Sequence, residues 1–91
     1  MSAFAVVLDR DGIRNIEQVR ARLKEQYGNV YEYVPSVLMV SADALTADIA
    51  RAAGIKTDDA ERIASGAVFR ISGYSGFTDR ALWEWFGRAE L

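Results

Sequence analysis

The sequence contains no histidine, no cysteine and a single proline, Pro35. Because histidine is the commonest general base and the commonest zinc ligand, its absence excludes a Ser-His-Asp triad and every other histidine-dependent mechanism. Because there is no cysteine, neither disulfide bonds nor thiolate metal sites stabilise the fold. The chain therefore relies on apolar burial, and its chemistry is limited to a small set of side-chain types.

A long apolar run and an excess of positive charge are also missing. No stretch approaches the ~20 apolar residues that cross a membrane, and the apolar segment before Asp9 lacks the basic leader of a signal peptide. We therefore expect a cytoplasmic protein with no membrane partner. The net charge is −2, from 13 acidic and 11 basic side chains, whereas proteins that clamp duplex DNA usually carry a strong positive excess.

The length and the apolar content predict one folded unit. A chain of 91 residues has room for a single domain, spanning residues 1–91. A hydrophobic fraction of 51% argues against disorder. A chain of this size buries a thin core, so every additional apolar contact matters to its stability.

Apolar periodicity and turn residues predict strands and helices in the order β-α-β-β-α-β, followed by an aromatic C-terminal helix. This order favours an α+β domain of the ferredoxin-like split βαβ type, with an antiparallel sheet and both helices on one face. The predicted ranges are a strand at 3–8, a helix ending at 27, strands at 30–34 and 37–41, a helix at 46–53, a short helical stretch at 57–65, a strand at 67–72 and a helix after residue 78.

The central strands are apolar on both faces of the predicted sheet. In the third strand, Val37 and Met39 lie on one face, while Leu38 and Val40 lie on the other. An uncovered apolar sheet face is costly, at roughly 25 cal/mol per Å². Since two helices cover one face, either the C-terminal helix or a second copy of the chain must cover the other. We expect a homodimer that packs sheet against sheet, with Val37 and Met39 in its interface.

Aromatic residues are concentrated on one strand and on the last helix. Tyr31 and Tyr33 share a strand face, where they either stack on single-stranded bases or pack across strands at an edge. Trp83, Trp85 and Phe86 belong to the last helix, and they either fill the core or dimer contact or bind another protein, since aromatic residues are enriched at interfaces. All five are candidate interface residues.

Basic residues cluster between positions 10 and 24. Arg10 and Arg14 are candidates for contacts with nucleic-acid phosphates. Glu17 lies among these basic residues and Glu25 directly follows them, and a solvated helix face is the alternative interpretation.

Five short segments carry a resemblance to a known family. The first strand ends in aspartate (AVVLD), the strand pair contains VPSVLMV, and the sequences TADI, Ser75-Gly76-Phe77 and Trp83-Glu84-Trp85 follow. In these segments and in the order of its elements, nearly the whole chain resembles the ferredoxin-like superfamily of the small CRISPR-adaptation nuclease (the Cas-two type). It is most similar to the uncharacterised SinR-like relatives of that nuclease.

The resemblance implies a homodimer and gives one residue a possible catalytic role. In nuclease members the aspartate that closes the first strand of each subunit binds a divalent metal at the dimer interface, and the matching residue is Asp9. Mg²⁺ or Mn²⁺ would be the cofactor, since hard cations prefer oxygen ligands. In the alternative interpretation Asp9 forms a strand-ending turn, and no cofactor is needed.

These observations support two functional hypotheses. The first is a small, non-catalytic, homodimeric interaction or regulatory protein, whose setting (defence, toxin–antitoxin or phage counter-defence) rests on the resemblance alone. The second is a metal-dependent nuclease acting on RNA or DNA through Asp9. Binding of nucleic acid without cleavage is a third possibility. Whether the chain is an enzyme, and what partner it binds, stays open at this level.

Overall fold

A computed structural model describes residues 2–56 and 62–88 of the chain. It confirms the α+β class and seven of the predicted elements, with one added helical turn after the first strand. The elements are β1 (Ser2–Leu8), α1 (Arg10–Ile13), α2 (Ile16–Tyr27), β2 (Val30–Val34), β3 (Val37–Ala42), α3 (Thr46–Ala53), β4 (Gly66–Ile71) and α4 (Arg80–Arg88).

The four strands form one antiparallel sheet in the order β2-β3-β1-β4. The two strands with the longest apolar runs, β1 and β3, are therefore central, and β2 and β4 are the edges. The order explains the sequence pattern, because a central strand that is covered on both faces reads as a continuous apolar run. The arrangement is compatible with the ferredoxin-like fold.

Helices α2 and α3 pack on the first face of the sheet. Phe4 and Val6 of β1 are fully buried against Leu23 of α2 and Ile49 of α3. The spacing of four residues between Val19 and Leu23 places both on the inner side of α2, as expected for an amphipathic helix. This confirms that the two helices between the strands, α2 and α3, share one face.

The second face of the sheet carries a separate core, built by α4. The buried members of this second cluster are Ala3, Met39, Leu82, Trp85 and Phe86. Of the two coverings expected for this face, the C-terminal helix is therefore the one that a single chain provides. A second copy is not required at Met39, which is 4% exposed under α4.

The segment before β4 differs from the prediction. Residues 62–65 are irregular, so the expected helical stretch does not extend to Ser65, and its first part, residues 57–61, lies outside the described residues. Ile63 N–H donates to Gly54 C=O (3.0 Å) and Asp9 N–H donates to Ser65 C=O (3.1 Å). These tertiary backbone bonds satisfy groups that a local helix would otherwise have satisfied.

Within residues 2–56 and 62–88, no helix has the length and apolar character needed to cross a bilayer.

Candidate functional site

Asp9 lies immediately after β1, and its exposed carboxylate is held by two hydrogen bonds. Gly12 N–H donates to Oδ1 (2.9 Å), and the Ser65 hydroxyl donates to Oδ2 (2.5 Å). Asp9 has extended backbone angles and is the N-cap of α1, the position where a short carboxylate side chain satisfies a free amide of the first turn. The carboxylate therefore joins the first turn to the segment that leads into β4.

Two further contacts fix the same junction. Asn15 Nδ2 donates to Ile63 C=O (2.5 Å), so the side chains of Asp9 and Asn15 both hold the 62–65 segment. Gly12 is buried, and a Cβ added there would lie 2.1 Å from the Ser65 carbonyl oxygen. The junction thus depends on a glycine that lets two backbone segments approach closely.

The hydrogen bonds lower the pKa of the Asp9 carboxyl below its ordinary value of 3.8. The Ser65 hydroxyl has the largest effect and the Gly12 amide the next, because both stabilise the ionised form. Asp48 has a lowered pKa for a similar reason, since it accepts hydrogen bonds from Leu45 N–H and from Arg51. Asp9 is therefore ionised throughout the neutral range.

We expect acid to destabilise the protein through these carboxylates. Because the pKa of Asp9 is lower in the folded chain, its contribution to stability is present above about pH 4 and is lost as pH falls through the folded-state pKa. Ser65→Ala removes the main cause of the lowered pKa of Asp9. As the pH is lowered below about 4, the unfolding free energy of this variant should therefore decrease less than that of the unsubstituted chain. Denaturant unfolding followed at several pH values measures this dependence.

Ser72→Ala is the matched control, since Ser72 is exposed and lies after β4. It should show the pH dependence of the unsubstituted chain. If the unfolding free energies of Ser65→Ala and of the unsubstituted chain depended equally on pH, this result would contradict a role for the Ser65–Asp9 contact.

Within residues 2–56 and 62–88, the surroundings of Asp9 do not form a metal centre. Among the described residues, no three carboxylates, histidines or cysteines lie close enough together to hold a metal ion. Both Asp9 oxygens already accept protein hydrogen bonds. Since Mg²⁺ takes an octahedral set of oxygen ligands, a site that uses Asp9 needs donors other than those of the described residues. The metal role of Asp9 stays a prediction.

Arg10 begins α1 directly after Asp9, Arg14 is the C-cap of α1, and both arginines are exposed. Other basic side chains of this region are engaged within the molecule. Arg20 pairs with Glu17 and Glu32, and Arg22 donates to the carbonyl oxygen of Ala52. Arg20 and Arg22 are therefore held by contacts within the chain. Their contact with phosphates stays a prediction.

The predicted interface aromatics meet on the second face of the sheet. Trp85 is 4% exposed, stacks on Tyr31 (centroids 6.4 Å apart) and donates from Nε1 to Asn29 Oδ1 (3.0 Å). Phe86 meets the Trp85 ring edge to face at 5.3 Å, a favourable aromatic geometry. Within one chain these side chains form a core, and their role toward a partner stays a prediction.

The outer layer of this cluster is less buried. Trp83 and Val37 are half-buried beside it, and the Tyr33 hydroxyl shares a hydrogen bond with the Thr78 hydroxyl (2.6 Å). That bond ties the segment before α4 to the β2 edge. The two tyrosines predicted to share a strand face therefore hold different parts of the C-terminal segment: Tyr31 contacts the helix, and Tyr33 the loop before it.

Tyr74 was not a candidate from the sequence, yet it completes the cluster. Its ring stacks on Phe86 at 3.9 Å and on Trp83 at 5.9 Å. The only sequence signal was a tyrosine within a glycine-rich turn, a context that does not reveal a contact with Phe86, twelve residues further along the chain.

One corner of the second face is not covered by the described part of α4. We call it the open corner and define it as Val7, Ala67 and Phe69. Val7 pairs with Ala67 across the β1–β4 ladder, and neither these two residues nor Phe69 belongs to the α4 core. Phe69 is 56% exposed. The second face therefore has a buried part and an exposed apolar part.

Comparisons with protein-family models, with curated proteins and with solved structures found no match to this chain.

Proposed function

We propose that this chain is a non-catalytic, homodimeric interaction protein of ferredoxin-like topology. The observation that carries the proposal is exposed apolar surface on an otherwise well-packed domain. Phe69 is 56% exposed at the open corner, and Phe77 is fully exposed in the segment before α4. Exposed apolar side chains that form a contiguous patch, as Phe69 does with Val7 and Ala67 at the open corner, are typical of protein interaction sites.

The hydrogen-bonding state of Asp9 favours this proposal over the nuclease alternative. Asp9 caps a helical turn and binds Ser65, which is a structural task that accounts for an aspartate at this position. The family resemblance supports a setting in defence, toxin–antitoxin or phage counter-defence systems, and this setting rests on that resemblance alone.

The topology supports the ferredoxin-like assignment. In a split βαβ arrangement, the strand that follows the β2–β3 hairpin turn inserts beside β1, and the last strand adds on the other side of β1. The order β2-β3-β1-β4, with every neighbouring pair antiparallel, is compatible with this form and supports the assignment.

The proposal predicts a mass of two chains in solution. Light scattering at micromolar concentration should give about twice the chain mass of 10.1 kDa, because burial of apolar surface between two copies favours association. The dimer should cleave neither RNA nor DNA when Mg²⁺ or Mn²⁺ is added.

Two results would contradict the proposal. A mass of one chain would exclude the homodimer at that concentration. Metal-dependent cleavage that is present in the unsubstituted chain and lost in Asp9→Asn would replace the interaction role with the nuclease alternative. Asp9→Asn suits this comparison because its amide oxygen still accepts from Gly12 N–H.

A further inference from the structure

Strand β4 is an edge of the sheet whose outer side meets no other described strand. It is the last strand in the order β2-β3-β1-β4, it contains no proline, and Ala67, Phe69 and Arg70 are exposed. The outer side of such a strand presents amide and carbonyl groups that can pair with another strand.

The alternation of hydrogen bonds along β4 shows which of its backbone N–H and C=O groups point away from β1. Asp9 N–H donates to Ser65 C=O, so Ser65 and the alternate residues after it, Ala67 and Phe69, direct their backbone groups toward β1. Gly66, Val68 and Arg70 lie between them and direct their groups outward. The hydrogen bond from Leu8 N–H to Ser36 C=O is consistent with this alternation. Leu8 is the residue opposite Gly66, and its N–H points toward β3 and away from β4.

The opposite edge is protected against pairing. Strand β2 carries Glu32, which forms an ion pair with Arg20 (2.5 Å), and its register with β3 is irregular between Glu32 and Val34. Charges and bulges on an edge strand oppose the addition of another strand. Strand β4 carries a single charged side chain, Arg70, and has a regular register with β1.

We propose that two copies of this chain pair through β4, antiparallel and centred on Val68, to form a continuous eight-stranded sheet. The proposal rests on the homodimer of the proposed function and assigns its contact surface. In this register Val68 faces Val68 of the other copy, and the outward groups of Gly66 face those of Arg70. All three outward residues of each copy are then paired, which forms about six backbone hydrogen bonds.

The side chains are self-complementary in the same register. Phe69 of one copy faces the small Ala67 of the other, and Arg70 faces Gly66, so two phenylalanines or two arginines are never directly opposed. A shift of the centre to Phe69 would place Phe69 against itself and leave the groups of Gly66 without a partner. Cross-strand neighbours of this kind determine the preferred register.

Pairing through β4 also covers the open corner. Phe69 lies beside the outer edge, so in the dimer the two Phe69 rings lie diagonally across the two-fold axis on the second face. The exposed apolar surface of β4 is then shared between two copies, which lowers the area left in water.

Proline at the central position tests the pairing. Val68→Pro removes an outward N–H and leaves the ladder with β1 intact, since proline is tolerated where the N–H side of an edge strand faces solvent. Val68→Ala keeps the N–H and is the control. Light scattering should show Val68→Ala as a dimer and Val68→Pro as a monomer, both with the circular dichroism of the unsubstituted chain.

Single cysteines test the register without relying on a proline variant that folds. The chain has no cysteine, so each variant carries one thiol. Facing residues in a non-hydrogen-bonded pair have Cα atoms about 4.5 Å apart, within the range for a disulfide. A mixture of Ala67→Cys and Phe69→Cys should form a disulfide heterodimer on mild oxidation, and Val34→Cys, on the other edge, should not cross-link with either.

The outcomes separate this inference from the proposed function. A dimer that persists in a folded Val68→Pro, or a mixture of Ala67→Cys and Phe69→Cys that does not cross-link while the unsubstituted chain is a dimer, overturns the β4 contact and leaves the homodimer standing. Cross-linking of Phe69→Cys with itself alone overturns the Val68-centred register. A monomeric unsubstituted chain overturns both proposals.

Discussion

Trp85→Ala should lower the free energy of unfolding by about 3–5 kcal/mol, the range for truncating a large buried aromatic residue. Trp85 is 4% exposed and packs against the rings of Tyr31 and Phe86. Its removal leaves a cavity between α4 and the sheet, and it leaves Asn29 Oδ1 without its indole donor. The total free energy of unfolding of a typical domain is only about 5–15 kcal/mol, so this loss is large.

Urea unfolding followed by far-UV circular dichroism measures the effect. Trp83→Ala is the matched control, because Trp83 lies on the same helix and is only half-buried. Its cost should be about 1 kcal/mol, the central value for point substitutions. If Trp83→Ala lowered the free energy of unfolding as much as Trp85→Ala, or more, this result would contradict the packing of Trp85 between α4 and the second face of the sheet.

Gly66→Ala should destabilise the chain by about 3 kcal/mol, the upper end of the range for overpacking. A Cβ at Gly66 would lie 2.2 Å from the Val7 carbonyl oxygen and 3.0 Å from the Leu8 Cα. Both atoms belong to the backbone of β1, so no side-chain rotation relieves the clash. The first residues of β4 would have to move away from β1.

Thermal and urea unfolding of Gly66→Ala measure this cost, and Gly73→Ala is its control. Gly73 lies just after the same strand, and nothing lies within 4 Å of its added Cβ. Gly73→Ala should stay within about 0.5 kcal/mol of the unsubstituted chain, as surface substitutions usually do. Similar stabilities for the two variants would contradict the close approach of β4 to β1.

The two predictions differ in what the sequence reveals. The aromatic character of Trp85 and its helical context are evident in the sequence, and only the direction in which it packs needed the fold. The constraint on Gly66 is not visible in the sequence, where a glycine before an apolar strand indicates the end of the preceding helical stretch. The clash arises from Val7, which is 59 positions away.

At the candidate site too, the sequence does not reveal contacts between residues that lie far apart in the chain. The sequence identified Asp9 as a residue that closes a strand and either begins a turn or binds a metal. It gave no indication of Ser65, since a contact between residues 56 positions apart depends on β4 pairing beside β1. That pairing also decides the lowered pKa of Asp9, because the Ser65 hydroxyl is its main cause.

The sequence by itself determined the α+β class, the bounds of most elements and the presence of apolar residues on both faces of the central strands. Those features follow from local periodicity and turn chemistry, which act over a few residues. Only the tertiary structure decided that α4 covers the second face, that Phe69 is exposed, and that no other described strand lies beside the outer edge of β4. Each of these depends on which distant segments meet, and local sequence patterns do not encode that information.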